Sequence, residues 1–161
     1  FEHEIEKPDG LILGKALGGG LFPISAFVAR KEVMDVFDYG SHGSTWGGNP
    51  LASAIGLKSI EILEQENLAE QSAKKGVYLQ QKLKDMNSPY IQEIRGSGLW
   101  VGVEVYAEKI SAREICLKLM ETGVLSKETH ENVIRFAPPL IITKEEIDEA
   151  VEKLQYILES W

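Results

Sequence analysis

The sequence predicts an α/β protein in two pieces: residues 1–48 as the end of a larger α/β domain and residues 86–161 as a small C-terminal α+β domain, with residues 49–85 as connecting helices. Three observations carry that prediction. Short apolar runs bounded by glycine and proline open the chain, and two long stretches of helical periodicity occupy its middle. A hairpin pattern with two helix-capping signatures fills its last third.

Lys7-Pro8-Asp9-Gly10 has turn chemistry and leads into residues 11–13, an apolar run of the kind that forms a buried strand. Gly14, Gly18, Gly19 and Gly20 come next. Residues 23–29 give a second strand and residues 31–37 one or two helical turns, whereas residues 40–48 have no periodicity and make a loop. Asn49 followed by Pro50 is a helix entry, because asparagine caps free N–H groups and proline at the first helical position forfeits no hydrogen bond. That helix runs to about Glu64. A second spans residues 68–83, with Leu68, Leu79 and Leu83 on one side.

Residues 91–95 and 99–105 alternate around Gly96-Ser97-Gly98, the signature of a hairpin turning on those glycines. Ser111 and Glu114 read as a capping box opening a helix that Gly123 closes. Residues 124–125 and 133–136 read as strands. A second capping box, Thr143 with Glu146, starts a last helix whose buried face carries Ile147, Val151, Leu154 and Leu158. Trp46, Trp100 and Met120 are expected in cores. Cys116 is expected to be a small buried hydrophobe, since nothing beside it would activate a thiolate.

Composition sets the outer limits. A chain of 161 residues, 43% of them apolar, can bury a core and has no disordered signature. Its 25 acidic residues outnumber 17 dispersed basic ones, which disfavours a general nucleic-acid or anionic-membrane surface. No apolar run reaches the roughly 18 residues of a membrane span, and the acidic start is unlike a signal peptide. A soluble protein without a membrane partner is expected. A single cysteine cannot form an internal disulfide, which points to an intracellular setting. His3, His42 and His130 have no metal-ligand spacing, and no metal is expected. The chain begins without methionine in what reads as a charged loop, so it is expected to be the C-terminal part of a longer protein and inactive by itself.

Gly14-Lys15 after a strand is also how a nucleotide-binding loop ends. That motif needs glycine five positions before Gly14 and Ser or Thr after the lysine; Asp9 and Ala16 stand there instead. The alternative chemistry for Lys15 is nucleophilic. A lysine that leaves a buried strand and enters a glycine-rich stretch can be desolvated, which favours the neutral amine that attacks an aldehyde.

The string Pro8-Asp9-Gly10-Leu11-Ile12-Leu13-Gly14-Lys15-Ala16-Leu17-Gly18-Gly19-Gly20 resembles the region around the cofactor lysine of the class III (subgroup II) aminotransferases, enzymes of the fold type I architecture. The loop Gly40-Ser41-His42-Gly43-Ser44-Thr45-Trp46-Gly47-Gly48-Asn49-Pro50 resembles the same family's phosphate-contacting loop. The resemblance implies pyridoxal 5'-phosphate as cofactor, Lys15 as its covalent anchor and general acid/base, and Ser44 and Thr45 as phosphate ligands. In the family the threonine reaches the cofactor of the neighbouring subunit, so a homodimer or higher homo-oligomer is implied. Hydroxyls flanked by glycine suit a dianionic phosphate.

A third string, Lys127-Glu128-Thr129-His130-Glu131-Asn132-Val133-Ile134-Arg135-Phe136-Ala137-Pro138-Pro139-Leu140, resembles the ornithine-converting branch of that family. There the arginine binds the α-carboxylate of glutamate or 2-oxoglutarate, and Arg135 holds the matching position. Leu21-Phe22-Pro23-Ile24-Ser25-Ala26 also resembles this branch more than the acetylornithine branch. The resemblance implies transamination of ornithine with a 2-oxo acid, giving glutamate 5-semialdehyde and glutamate, between arginine breakdown and proline synthesis. The compartment would be the cytoplasm, or the mitochondrial matrix in a eukaryote. An acetylornithine or other ω-amino-acid aminotransferase is the alternative within the family, and a non-catalytic relative the alternative outside it. The aspartate facing the pyridine nitrogen, the ring-stacking aromatic and the acidic partner of the arginine would lie upstream of Phe1. Arg95 fits the family's small-domain pattern and is read as structural, a turn-anchoring arginine.

Overall fold

The computed structural model describes residues 7–161; residues 1–6, His3 among them, lie outside the described residues. The chain divides into two compact units, one running to Glu66 and the other Asn67–Trp161. The division falls between the two long helices, so that α2 (Pro50–Gln65) packs with the first unit and α3 (Leu68–Asp85) with the second.

In the first unit, β1 (Gly10–Leu13) and β2 (Ala26–Ala29) pair antiparallel, Gly10 opposite Ala29 and Leu13 opposite Ala26. Just past the ladder, the Arg30 N–H donates to the Asp9 carbonyl at 3.2 Å and the two side chains form an ion pair at 2.5 Å. Residues 23–25 stay outside the ladder; Pro23 has no N–H to give it. A 3-10 turn (Lys15–Gly18), a single helical turn α1 (Lys31–Met34) and a loop to Asn49 complete the unit before α2. The strands are less covered than their composition predicts. Leu11 and Leu13 are half-buried, but Ile12 is 81% exposed, because a two-stranded ribbon leaves alternate side chains without a second layer. Asn49 caps α2 as predicted, its side chain accepting from the N–H groups of Leu51 and Ala52 with Pro50 at the first helical position.

The second unit is a four-stranded antiparallel sheet in the order β3 (Ile91–Ser97), β4 (Trp100–Val105), β6 (Val133–Phe136), β5 (Lys127–Thr129). Its helices are α3, α4 (Ala112–Glu121) and α5 (Lys144–Glu159). Strand alternation sends Val101, Val103, Val105, Ile134 and Phe136 to one face. They meet Leu79 and Leu83 of α3, Ile115 and Leu119 of α4, and Ile147, Leu154 and Leu158 of α5. Thr143 and Glu146 form the predicted capping box, and Cys116 is buried, which pushes its thiol pKa up.

Several expectations are corrected. The hairpin turns on Gly98-Leu99 rather than on residues 96–98, because Leu99 is buried and its N–H is taken by the Ser72 hydroxyl of α3 at 3.1 Å. Gly98 alone of the two has positive φ, as a type II′ turn requires. Ser111 caps α4 through the Glu114 N–H, but the reciprocal half of the box is not formed among the described residues. Residues 124–125 are not a strand. Val124 instead closes α4 together with Gly123: their N–H groups bond back to Leu119 and Met120 respectively, the 6→1 and 5→2 pair of a Schellman motif. The strand comes later, at Lys127–Thr129, where polar edge-strand composition hides it. Trp46, Trp100 and Met120 are not core residues; they are 78%, 66% and 52% exposed, on a loop, on the uncovered sheet face and on the outside of α4.

The turn and α3 meet backbone to backbone. A Cβ on Gly76 would lie 2.0 Å from the Gly98 carbonyl oxygen. Gly76→Ala is therefore expected to lower the stability of the second unit by about 1–3 kcal/mol despite its better helix propensity, with a lowered urea midpoint as the readout.

Across α3 and α5, the Tyr78 hydroxyl donates to both Asp148 oxygens at 2.8 and 2.9 Å, and Lys82 Nζ stands 2.9 Å from the same carboxylate. The Lys82 and Tyr78 bonds hold the Asp148 pKa below its ordinary value, and the Asp148 bond holds Lys82 and Tyr78 above theirs. Asp148 thus stabilises above its unfolded pKa near about 4, and that contribution disappears as pH falls through its lower folded value. Lys82 and Tyr78 stabilise below about pH 10 and lose their contribution as pH rises through their higher folded values. Asp148→Asn is expected to flatten both limbs of the pH–stability curve, read as the urea midpoint across the range.

Candidate functional site

Lys15 sits where β1 ends and the 3-10 turn begins, with φ of 49°, in the left-handed region that a side-chain-bearing residue adopts at a cost. Its amine is exposed and has no hydrogen bond or ion pair among the described residues. The expected desolvation is therefore not a property of this unit. What the fold imposes is position. A Cβ on Gly19, at φ +59°, would lie 2.5 Å from the Ser59 hydroxyl of α2, and one on Gly56 would lie 3.2 Å from Ile24. These glycines let the turn carrying Lys15 and the chain behind it press against α2. They serve packing within the chain; of Gly14, Gly18, Gly19 and Gly20, it is Gly20, at φ +75°, that opens onto space.

Ser44 and Thr45 lie in the exposed loop before α2. The Gly47 N–H closes the loop onto the Ser44 carbonyl at 3.2 Å, and a Cβ on Gly47 would come within 2.9 Å of the Ser44 hydroxyl. Glycine there keeps room beside that hydroxyl. The first N–H groups of α2 are taken by Asn49, so an anion at this loop would be met by the Ser44 and Thr45 hydroxyls and loop N–H groups, not by the helix end. No hydrogen bond or ion pair joins Lys15 to Ser44 or Thr45 among the described residues. His42 lies beside Phe37, ring centroids 5.4 Å apart.

Arg135 belongs to the second unit and to the sheet face that the helices leave open. Register places it opposite Gly102 of β4 and Lys127 of β5, and Gly102 is in turn opposite Arg95 of β3. Arg95, Gly102, Arg135 and Lys127 thus form one row across the sheet, with the glycine leaving a gap between two arginines. A depression of about 460 Å³ occupies this face, lined by Trp100, Gly102, Thr129, His130 and both arginines.

The two arginines differ in one respect. Arg95 is paired with Glu93 at 2.8 Å and with Glu104, and the Glu104 bond is the main cause of its raised pKa. Glu104 is correspondingly held below the ordinary carboxylate range, first by Arg95 and then by Asn132. Arg135 is exposed and has no side-chain partner among the described residues. Arg95 is structural as predicted, although it ties strand to strand and does not anchor the turn. Its geometry leaves Arg135 as the arginine of this row free to grip an anion. Sequence reasoning missed Glu104, Asn132 and Gly102 because alternation shows which face a residue takes but not which residue lies across from it.

The Aminotransferase class-III family matches residues 1–158. An ornithine aminotransferase of Halalkalibacterium halodurans is 54% identical over 98% of this chain and 39% of its own length, so the chain spans about two fifths of that relative. A solved ornithine aminotransferase from Toxoplasma gondii, described with partial occupancy of PLP at its active site, superposes with a TM-score of 0.92 at 41% identity over 99% of this chain and 39% of that one. An acetylornithine aminotransferase from Elizabethkingia anophelis superposes with a TM-score of 0.90 at 38% identity over 99% and 43%. With a family match running over nearly all of its length, the chain belongs to the class-III aminotransferases.

Proposed function

We propose that the whole protein carrying this chain is a pyridoxal-phosphate-dependent aminotransferase that moves the terminal amino group of ornithine to 2-oxoglutarate or a similar 2-oxo acid. The observation that carries the proposal is Lys15: an unpaired amine in left-handed backbone, at the centre of the string that resembles the family's cofactor lysine. The residues present suit the cofactor. Lys15 offers a primary amine for an aldehyde, and the Gly47-spaced loop offers two hydroxyls for a phosphate. When bound, pyridoxal phosphate supplies the aldehyde that takes up amino groups and the electron sink that stabilises charge at the substrate carbon.

The chain's own residues then have separate tasks. Lys15 holds the cofactor through Nζ and, once freed by the donor amine, takes a proton from the donor carbon and returns it elsewhere as general acid. Ser44 and Thr45 donate hydroxyls to the phosphate, serving a partner subunit's site in a homodimer or larger homo-oligomer. Arg135 grips the α-carboxylate of the 2-oxo acid through two parallel N–H···O bonds, which a lysine cannot reproduce. Glutamate 5-semialdehyde and glutamate leave as products, linking arginine breakdown to proline synthesis in a cytoplasmic or mitochondrial compartment. No helix among the described residues is long and apolar enough to cross a membrane. The 54% identity to an ornithine aminotransferase supports ornithine over acetylornithine as donor.

Borohydride treatment of the whole protein is expected to fix a cofactor adduct on the peptide containing Lys15; an adduct on another lysine, or none, overturns the proposal. Rates with ornithine, acetylornithine and γ-aminobutyrate as donors decide the branch, and ornithine is expected to be preferred. Arg135→Lys is expected to raise KM for the 2-oxo acid about tenfold to a hundredfold, through loss of a bidentate charge-assisted pair, with a smaller effect on KM for the donor.

A further inference from the structure

We propose that Glu104 is a positioning residue for carboxylate capture, clamping Arg95 with one oxygen and the Asn132 amide with the other and so fixing the turn beside Arg135. The proposal rests on the assignment of Arg135 as the carboxylate-binding residue.

The turn needs a clamp. Thr129 pairs with Val133, leaving a three-residue connection, and its first two members, His130 and Glu131, have φ of 50° and 67°. Two consecutive left-handed residues with side chains persist only where their surroundings hold them. Asn132 supplies the hold. Its amide donates to Glu104 Oε1 at 3.2 Å and to the Val105 carbonyl at 3.3 Å, and its own carbonyl accepts the Val105 N–H at 2.9 Å. Glu104, about one-fifth exposed, thereby ties the β5–β6 turn to β4 at the level of Val133, two residues before Arg135. His130, on the same turn, lines the depression.

The other oxygen of Glu104 has a second consequence. Arg95 and Arg135 lie two strands apart in one row, about 10 Å at the backbone, with only Gly102 between. With Glu104 and Glu93 on Arg95, an incoming carboxylate finds one free arginine on this row. Without Glu104, Arg95 keeps only its exposed Glu93 partner and competes for the incoming carboxylate, and the turn beside Arg135 is less fixed.

The test uses the whole protein. Glu104→Ala and Asn132→Ala are each expected to raise KM for the 2-oxo acid about fivefold to twentyfold while KM for the amino donor moves less than about twofold. The double variant is expected to be worse than either single one but to fall well short of their product, because the two share the Glu104–Asn132 bond while each also loses a second one, to Arg95 or to the Val105 carbonyl. Glu104→Gln keeps a carbonyl for Asn132 but not the charge on Arg95, and is expected to recover part of the loss. Equal movement of both KM values, or effects that multiply in the double variant, overturns the proposal. Arg135→Lys alongside separates the two levels: if it raises KM for the 2-oxo acid and neither alanine variant does, the clamp fails alone, whereas an unchanged KM in Arg135→Lys removes the carboxylate assignment itself.

Discussion

Val101, Val103 and Val105 leave β4 on the side of α3, α4 and α5, and this forces Trp100, Gly102 and Glu104 onto the other side. A buried valine contributes roughly 1.5–3 kcal/mol, whereas an exposed ion pair contributes about 0–1 kcal/mol. The apolar face therefore decides the register, and the polar face inherits it. A slip of one residue would put Glu104 in the core and a valine beside Arg135, so the order of cations and carboxylates on the open face is as strongly specified as the core. Everything on that face, from the Arg95 pairings to the Asn132 clamp, depends on burial on the opposite side.

The first unit reaches a similar result by other means. It has little core of its own, and the turn that carries Lys15 is placed by close approach to α2 at Gly19 and Gly56. Where side chains are absent, backbone contact leaves few alternative positions for the turn. The left-handed φ at Lys15 fits this picture, since it lies between a strand paired through Leu13 and a turn held by the Gly19 N–H on the Ala16 carbonyl. The strain sits at the residue proposed to hold the cofactor, and sparsely populated backbone conformations often cluster at such sites.

Much of the fold is legible in the sequence because its signals are local. Asn49-Pro50, the Thr143–Glu146 box and Gly123 each name a helix end through groups within a few residues, and all three act as read. The failures have a common cause in contacts distant along the chain. The hairpin turn falls at Gly98-Leu99 because α3, more than twenty residues earlier, takes the Leu99 N–H through Ser72. Val124, apolar and β-prone, starts no strand because a Schellman closure uses its N–H, and the polar Lys127–Thr129 forms one because β6 offers an edge. Size places Trp100 in a core, and its parity along β4 puts it outside. A sequence string is enough to nominate Arg135. That it is unpaired, and that Arg95 is not, requires the register.

With Arg135 in its proposed role, that difference between two arginines is the sharper constraint on specificity. A carboxylate is drawn to any guanidinium in reach, and a shallow face with two of them in one row would bind it in more than one place. Attraction at Arg135 alone cannot prevent this; occupation of the rival can. Glu93 and Glu104 occupy Arg95, and the Asn132 bond keeps Glu104 where it must be to do so. Glycine between the two arginines leaves the floor clear, since a Cβ at Gly102 would press on Val133 at 3.2 Å. The open face is therefore organised as much by which cation is neutralised as by which is free, and one carboxylate, Glu104, links that electrostatic choice to the geometry of the turn.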